Sequence, residues 1–154
     1  MLQWTCKKFD DLTPAELYAI LQLRNEVFVV EQNCVYQDAD NKDPQSFHLM
    51  GWQETGSGGS KLVAYTRLIP PAVAYPEPSI GRVVSSPSVR GTGTGRMLMQ
   101  QSIEQVRQLF GNSPIRIGAQ LYLLAFYTSL GFQPTGEEYL EDNIPHIEMI
   151  LPPQ

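Results

Sequence analysis

Arg90-Gly91-Thr92-Gly93-Thr94-Gly95 decides how this 154-residue chain reads. The strand-like run Ile80 to Ser85 leads into it through Ser86-Pro87-Ser88-Val89, and a helical pattern follows from about residue 94. A glycine-rich turn from strand to helix suits a diphosphate. Glycines let the backbone turn tightly and approach a ligand, while a helix start offers unpaired N–H donors and a partial positive charge. Arg90 and Arg96 add full charges at either end. Gly91, Gly93 and Gly95 make Gly-x-Gly-x-Gly rather than the dinucleotide pattern Gly-x-Gly-x-x-Gly, and no Gly-Lys-Ser/Thr occurs. A strand before, a helix after and two flanking arginines favour a phosphate site over a flexible linker.

The charge distribution supports a phosphate-bearing small molecule. Sixteen acids against eleven bases leave a formal net charge of −5, which argues against a nucleic-acid partner, since phosphate neutralisation needs a basic surface. Residues 78–136 nevertheless carry five arginines (Arg82, Arg90, Arg96, Arg107, Arg116) and the single acid Glu104. That stretch is near +4 and the remainder near −9. Apolar residues make up 42% of the chain, and no apolar run approaches the ~20 residues of a membrane span. Met1 to Lys8 lacks a basic-then-apolar leader pattern, so a cytoplasmic protein with no membrane partner is expected. Cys6, Cys34, His48 and His146 are scattered without metal-ligand spacing, so neither a metal site nor a disulfide is expected.

Local signals divide the chain into alternating elements of one domain, residues 1–154. Leu2 to Phe9 reads as a strand. Thr13-Pro14-Ala15-Glu16 is a capping box with proline at the first helical position. The helix it opens is expected to run to about Phe28, with Leu17, Leu21, Arg24 and Phe28 on one stripe. Arg24 lies on the apolar side, where it needs a carboxylate (Glu31, Asp38 or Asp40) or a ligand. Further strands are expected at 46–53 and 61–69, joined by Gly56-Ser57-Gly58-Gly59-Ser60, then at 79–85, 115–119, 132–139 and 146–151. Helices are expected at 94–110 and 121–130, the second stopped by Gly131. This order is an α+β or mixed α/β pattern.

Two motifs in the right order carry a resemblance. Arg90-x-x-Gly93-x-Gly95 matches the Gln/Arg-x-x-Gly-x-Gly/Ala signature of the GCN5-related N-acetyltransferase (GNAT) superfamily. About 30 residues on, Gln120 through Tyr127-Thr128-Ser129-Leu130-Gly131-Phe132 resembles its second signature, which ends Tyr-x-x-x-Gly-Phe. Gln120 stands where many relatives carry Asn, and Leu123 replaces a common alanine. Leu23-Arg24-x-x-Val27-Phe28-Val29-Val30-Glu31-Gln32-x-Cys34-x-Tyr36-x-Asp38-x-Asp40 and Ile144-Pro145-His146-Ile147-x-Met149 look like hallmarks of the ElaA-like branch. The resemblance covers essentially the whole chain.

The resemblance implies an acyl-CoA N-acyltransferase fold: a mixed, mostly antiparallel sheet of six or seven strands, splayed at two parallel central strands, with flanking helices. It implies acetyl-CoA as co-substrate, with no metal, and direct attack by a primary amine. Backbone groups of Val83, Val84 and Ser85 would pair with the pantetheine arm. Arg90, Gly91, Thr92, Gly93, Thr94, Gly95 and Arg96 would hold the pyrophosphate, and the Gln120 amide would bond the cofactor. Tyr127 would protonate or hydrogen-bond the departing thiolate. Glu31, His48, His146 and Glu148 are candidate bases, with Glu31 and His146 preferred. Burial after Val27 to Val30 would raise the pKa of Glu31, and His146 titrates near neutrality. Arg24, Phe28 and His48 are candidate acceptor contacts, and the acidic remainder suits a cationic acceptor. Many relatives form homodimers. Two other readings stay open: a catalytically silent CoA-binding sensor, and an acyltransferase resembling acyl-homoserine-lactone synthases, to which Arg24 to Gln32 is similar.

Overall fold

Thr13 opens the first helix as its chemistry requires. Its hydroxyl accepts from the Glu16 N–H at 3.1 Å while the Glu16 carboxylate accepts from the Thr13 N–H at 2.8 Å. Helix α1 (Pro14–Arg24) follows. The expected continuation to Phe28 as regular α-helix is corrected: Asn25–Glu31 winds as a π-helix. Gln32 and Cys34 donate to the carbonyls of Val27 and Val29, five residues back. Three β-branched residues (Val27, Val29, Val30) crowd an ordinary turn. The wider one brings Val27 and Phe28 into the same core as Ile20 and Leu23.

The computed structural model describes residues 1–154. There are seven strands: β1 (Leu2–Lys8), β2 (Phe47–Glu54), β3 (Ser60–Ile69), β4 (Ser79–Ser85), β5 (Ile115–Gln120), β6 (Gln133–Glu141) and β7 (Ile144–Leu151). They form one sheet in the order β1-β2-β3-β4-β5-β7-β6. All neighbours are antiparallel except β4 and β5. Helix α2 (Thr94–Phe110) and the short α3 (Leu124–Ser129) cover one face, with Leu98, Met99 and Val106 in the larger core. Helix α1 and the π segment cover the other face over β2 to β4, packing on Met50, Tyr65 and Val84.

The parallel pair is the feature that matters. β4 and β5 share one register pair, Ser79 with Arg116, and then part. Each keeps its outer partner, β4 pairing with β3 and β5 with β7 through Gln120. A bulge between Tyr65 and Arg67 of β3 accompanies the parting, and Arg82 of β4 has φ +49°. That conformation costs a non-glycine residue roughly 1–2 kcal/mol.

What holds Arg82 there is a cluster of three arginines and three aspartates. Arg82 Nε donates to Asp38 Oδ1 at 2.8 Å. Arg24 donates to Asp38 and Asp43 at 2.8 and 2.7 Å. Arg67 donates to Asp40 and Asp43 at 2.7 and 3.0 Å. Arg24 is therefore paired inside the protein, with Asp43 as well as the anticipated Asp38. Burial would raise the Asp43 carboxyl, but the hydrogen bonds and charges of Arg24 and Arg67 hold it below the usual carboxylate range. Asp40 is held down in the same way by Arg67 and Arg82.

Asp43→Ala should therefore cost about 1–3 kcal/mol, because Arg24 and Arg67 would each lose one of their two carboxylate partners and keep the other. Urea unfolding at pH 7 measures it. Because the folded-state pKa values of Asp40 and Asp43 lie below their unfolded values, the stability they add is fully present above about pH 4. It should fall away as pH drops through the lower folded values, and the Asp43→Ala protein should show a shallower acid slope.

Candidate active site

The parted strands leave an open wedge along the inner edges of β4 and β5. The wedge belongs to a cleft of about 690 Å³ that also reaches the π segment, α2 and the β6–β7 hairpin. Val83, Val84 and Ser85 line it from β4, and Gln120 lines it from the end of β5.

Beyond β4 the glycine-rich loop turns into α2. Gly91 and Gly93 have φ +79° and +84°, conformations open to glycine without steric cost. Six successive backbone N–H groups, from Gly91 to Arg96, find no acceptor within the chain; the first helical bond is Met97 N–H to Gly93 O. This is a concave, positively polarised donor array. Thr92 and Thr94 turn their hydroxyls towards each other at 2.8 Å, and Arg96 donates to Ser129 Oγ at 2.5 Å.

Arg90 reaches back across the cleft mouth. Its two terminal nitrogens each lie 2.6 Å from a Glu31 oxygen, joining the donor loop to the end of the π segment. The expectation that burial would raise the Glu31 pKa is corrected. Glu31 is exposed, and its pKa is lowered by the hydrogen bond and charge of Arg90. It is ionised and occupied at neutral pH, poorly suited to take a proton.

Tyr127 projects from α3 into the cleft with the body of its ring buried against Phe126 and Phe132. Burial pushes its phenol well above the ordinary tyrosine range, so it is a neutral O–H at pH 7. Phe28 lines the cleft as well. His146 sits on β7 opposite Gln120, also at the cleft, and its Nδ1 lies 2.7 Å from Ile144 O. A carbonyl can only accept, so Nδ1 carries the hydrogen and the neutral ring presents Nε2 as its lone pair. Glu141 stands 3.5 Å from that nitrogen.

Two expected acceptor contacts lie elsewhere. Arg24 is 1% exposed and does not line the cleft. His48 is equally buried, with Nδ1 2.6 Å from the Tyr65 hydroxyl and Nε2 3.0 Å from Asp43 O. Both residues build the wall behind the site because the aspartates of 38–43 fold back onto the sheet. Glu148, on β7, pairs with Arg116 at 3.3 Å. Tyr75, Gly118, Tyr139 and Glu141 also line the cleft, and sequence reasoning missed them. An isolated glycine inside a strand signals close approach of another group, and Gly118 was the available clue.

The acetyltransferase (GNAT) domain model matches residues 24–152. The chain belongs to this family. The GNAT chain is similar to protein ElaA of Escherichia coli, 41% identical over 151 residues that span 97% of this chain and 95% of that protein. An acyl-CoA N-acyltransferase from Pseudomonas aeruginosa superposes with a TM-score of 0.91 at 46% identity, covering 98% and 99% of the two chains. An aminoglycoside 6'-N-acetyltransferase solved with coenzyme A shares the fold at TM-score 0.68 and 17% identity, over 96% of each chain. The GNAT sheet splay expected from the two motifs is thus the observed one. No helix of the domain is long and apolar enough to cross a membrane.

The His48 imidazole of this GNAT domain should show its burial in a proton NMR titration. Burial holds the His48 pKa below 6.5, so its ring should stay neutral through that pH. A ¹⁵N-correlated spectrum of neutral His146 should show the Nδ1–H form. An Nε2–H form would contradict the Ile144 contact.

Proposed function

We propose that the chain is an acetyl-CoA-dependent N-acetyltransferase acting on a primary amine. The observation that carries this reading is that the unpaired β4 edge, Gly95 of the donor run with its neighbour Arg90, and Tyr127 all line one cleft. Each matches one part of a thioester cofactor. The donor loop Gly91 to Arg96 suits the pyrophosphate, with charge from Arg96, while Arg90 closes the mouth through Glu31. The free edge at Val83, Val84 and Ser85 suits the amides of the pantetheine arm, which would add like a short strand. The Gln120 side chain faces the same channel from β5.

In this reading the amine attacks directly. Its lone pair forms the N–C bond to the thioester carbonyl, the C–S bond breaks, and the electron pair leaves on sulfur. Tyr127, kept protonated by its burial, gives its hydrogen to the sulfur and recovers one from solvent. The nitrogen gives up a proton to His146 Nε2, the lone pair that the Ile144 carbonyl leaves free. Glu31 takes the part of a clasp rather than a base, and Phe28 that of an apolar wall. Arg67 and Arg82 are already neutralised by Asp38, Asp40 and Asp43, so Glu141 and Asp142 at the β6–β7 turn dominate the approach and favour a cationic acceptor.

Free-thiol release from acetyl-CoA across a panel of amines tests the reading. Tyr127→Phe should lower kcat by about 10²–10⁴-fold while leaving the thioester KM unchanged. Unchanged turnover would remove Tyr127 from the reaction, and thermal stabilisation by CoA without thiol release on any amine would favour a sensor.

A further inference from the structure

Strand parity sorts the second half of the sheet into two unlike faces. Ile117 and Ala119 of β5, with Ile147 and Met149 of β7, point into the core shared with α2. Gly118 and Gln120, with their register partners Glu148 and His146, point the other way, joined by Tyr139 opposite His146. Helix α1 packs on β3 and β4, so this second face has no helix over it at β5. What lies above Gly118 is a pair of phenols. A Cβ at Gly118 would stand 2.5 Å from the Tyr139 hydroxyl and 3.2 Å from the Tyr75 hydroxyl. Tyr139 comes from β6 and stacks on the His146 ring at a centroid distance of 5.6 Å. Tyr75 comes from the connection between β3 and β4, so the two hydroxyls meet over the same residue from separate parts of the chain. Two oxygens thus occupy the one place on β5 where the sequence supplies no side chain, at the edge of the wedge.

We infer that Tyr139 and Tyr75 form a shelf over Gly118 that receives one N–H of the acceptor and sets its preference for primary over secondary amines. This rests on the acyltransferase reading above. Both phenols are neutral, because burial lifts them above the ordinary range. Both oxygens lie within 3.2 Å of one point, the Cβ position of Gly118, so two acceptors converge on one place at the edge of the cleft. A primary amine can give one N–H to this shelf and the other to His146 Nε2 and still turn its lone pair to the thioester. A secondary amine has one N–H fewer and brings a carbon against a phenol oxygen, leaving that oxygen unsatisfied. Stacking of Tyr139 on His146 keeps the shelf beside the Nε2 lone pair. Glycine at 118 is a requirement of this arrangement, since any side chain there would push the Tyr139 hydroxyl away.

The test compares the wild type with Tyr139→Phe, Tyr75→Phe and Gly118→Ala, using acetyl-CoA with propylamine and N-methylpropylamine. Tyr139→Phe should lower kcat/KM for propylamine by about tenfold, the worth of one hydrogen bond, and leave that for N-methylpropylamine and the thioester KM unchanged. Gly118→Ala should reproduce the loss of selectivity with Tyr139 intact. Equal losses on both amines, or none on either, would overturn the shelf. Calorimetric titration of the CoA-loaded proteins with propylammonium reads the same contact without turnover. Wild type should bind more tightly than Tyr139→Phe, and equal affinities would overturn the shelf too. If the wild type released thiol with no amine, the acyltransferase reading would fail, while calorimetry would still decide the shelf.

Discussion

The separation of β4 from β5 after one shared pair is the constraint on which the rest of the molecule depends. Two parallel strands in the middle of a sheet would ordinarily satisfy each other's N–H and C=O groups along their length. Here a bulge in β3 and the left-handed backbone of Arg82 turn β4 aside. The ion pairs from Arg82 to Asp38 and Asp40 hold that turn in place. The same aspartates bind Arg24 of α1 and Arg67 of β3, so helix, sheet and the 36–43 loop are tied at one buried knot. Pairing and hydrogen bonding make these buried charges tolerable, and they give the segment after the π-helix one position rather than many. The cleft is the space that this knot keeps open.

Parts of this were legible from the residues alone, for identifiable reasons. The capping box at Thr13, the glycine run at 90–95 and the stop at Gly131 act through local backbone chemistry, which spacing reports directly. Tyr127 was legible through its motif context, since its burial alone resembles any core tyrosine. What stayed hidden depends on contacts between distant segments. An arginine on an apolar helix face announces a need for a partner, but not that Asp43 would share the role with Asp38. The π winding of 25–31 emerges from packing against Met50, Tyr65 and Val84, which no helical periodicity encodes. Glu31 and His48 illustrate the same limit in opposite directions. The apolar run before Glu31 suggested burial, yet the chain turns outward there to meet Arg90. His48 reads as a polar strand residue until the Asp43 carbonyl folds over it.

The sheet also divides its labour by face. Over β2 to β4 both sides are covered, by α1 and the π segment on one and α2 on the other. Beyond the splay, β5 and β7 keep an apolar side for the core, while β7 and β6 turn a tyrosine, a histidine and carboxylates to the other face. Edge strand β6 is largely exposed, and little of its outward surface is committed to packing. Residues there can change character at small cost in stability, whereas those around the aspartate knot cannot.

Recognition by main chain has its own durability. The free N–H groups at Gly91 to Arg96 belong to the polypeptide rather than to any side chain, so replacing one residue by another leaves the donor in position. Only a proline, which has no N–H, or a residue that refuses the positive φ of Gly91 or Gly93 would break the array. The chain therefore combines a half written in backbone geometry, resistant to sequence drift, with a half written in side chains on an uncovered sheet face, free to be rewritten.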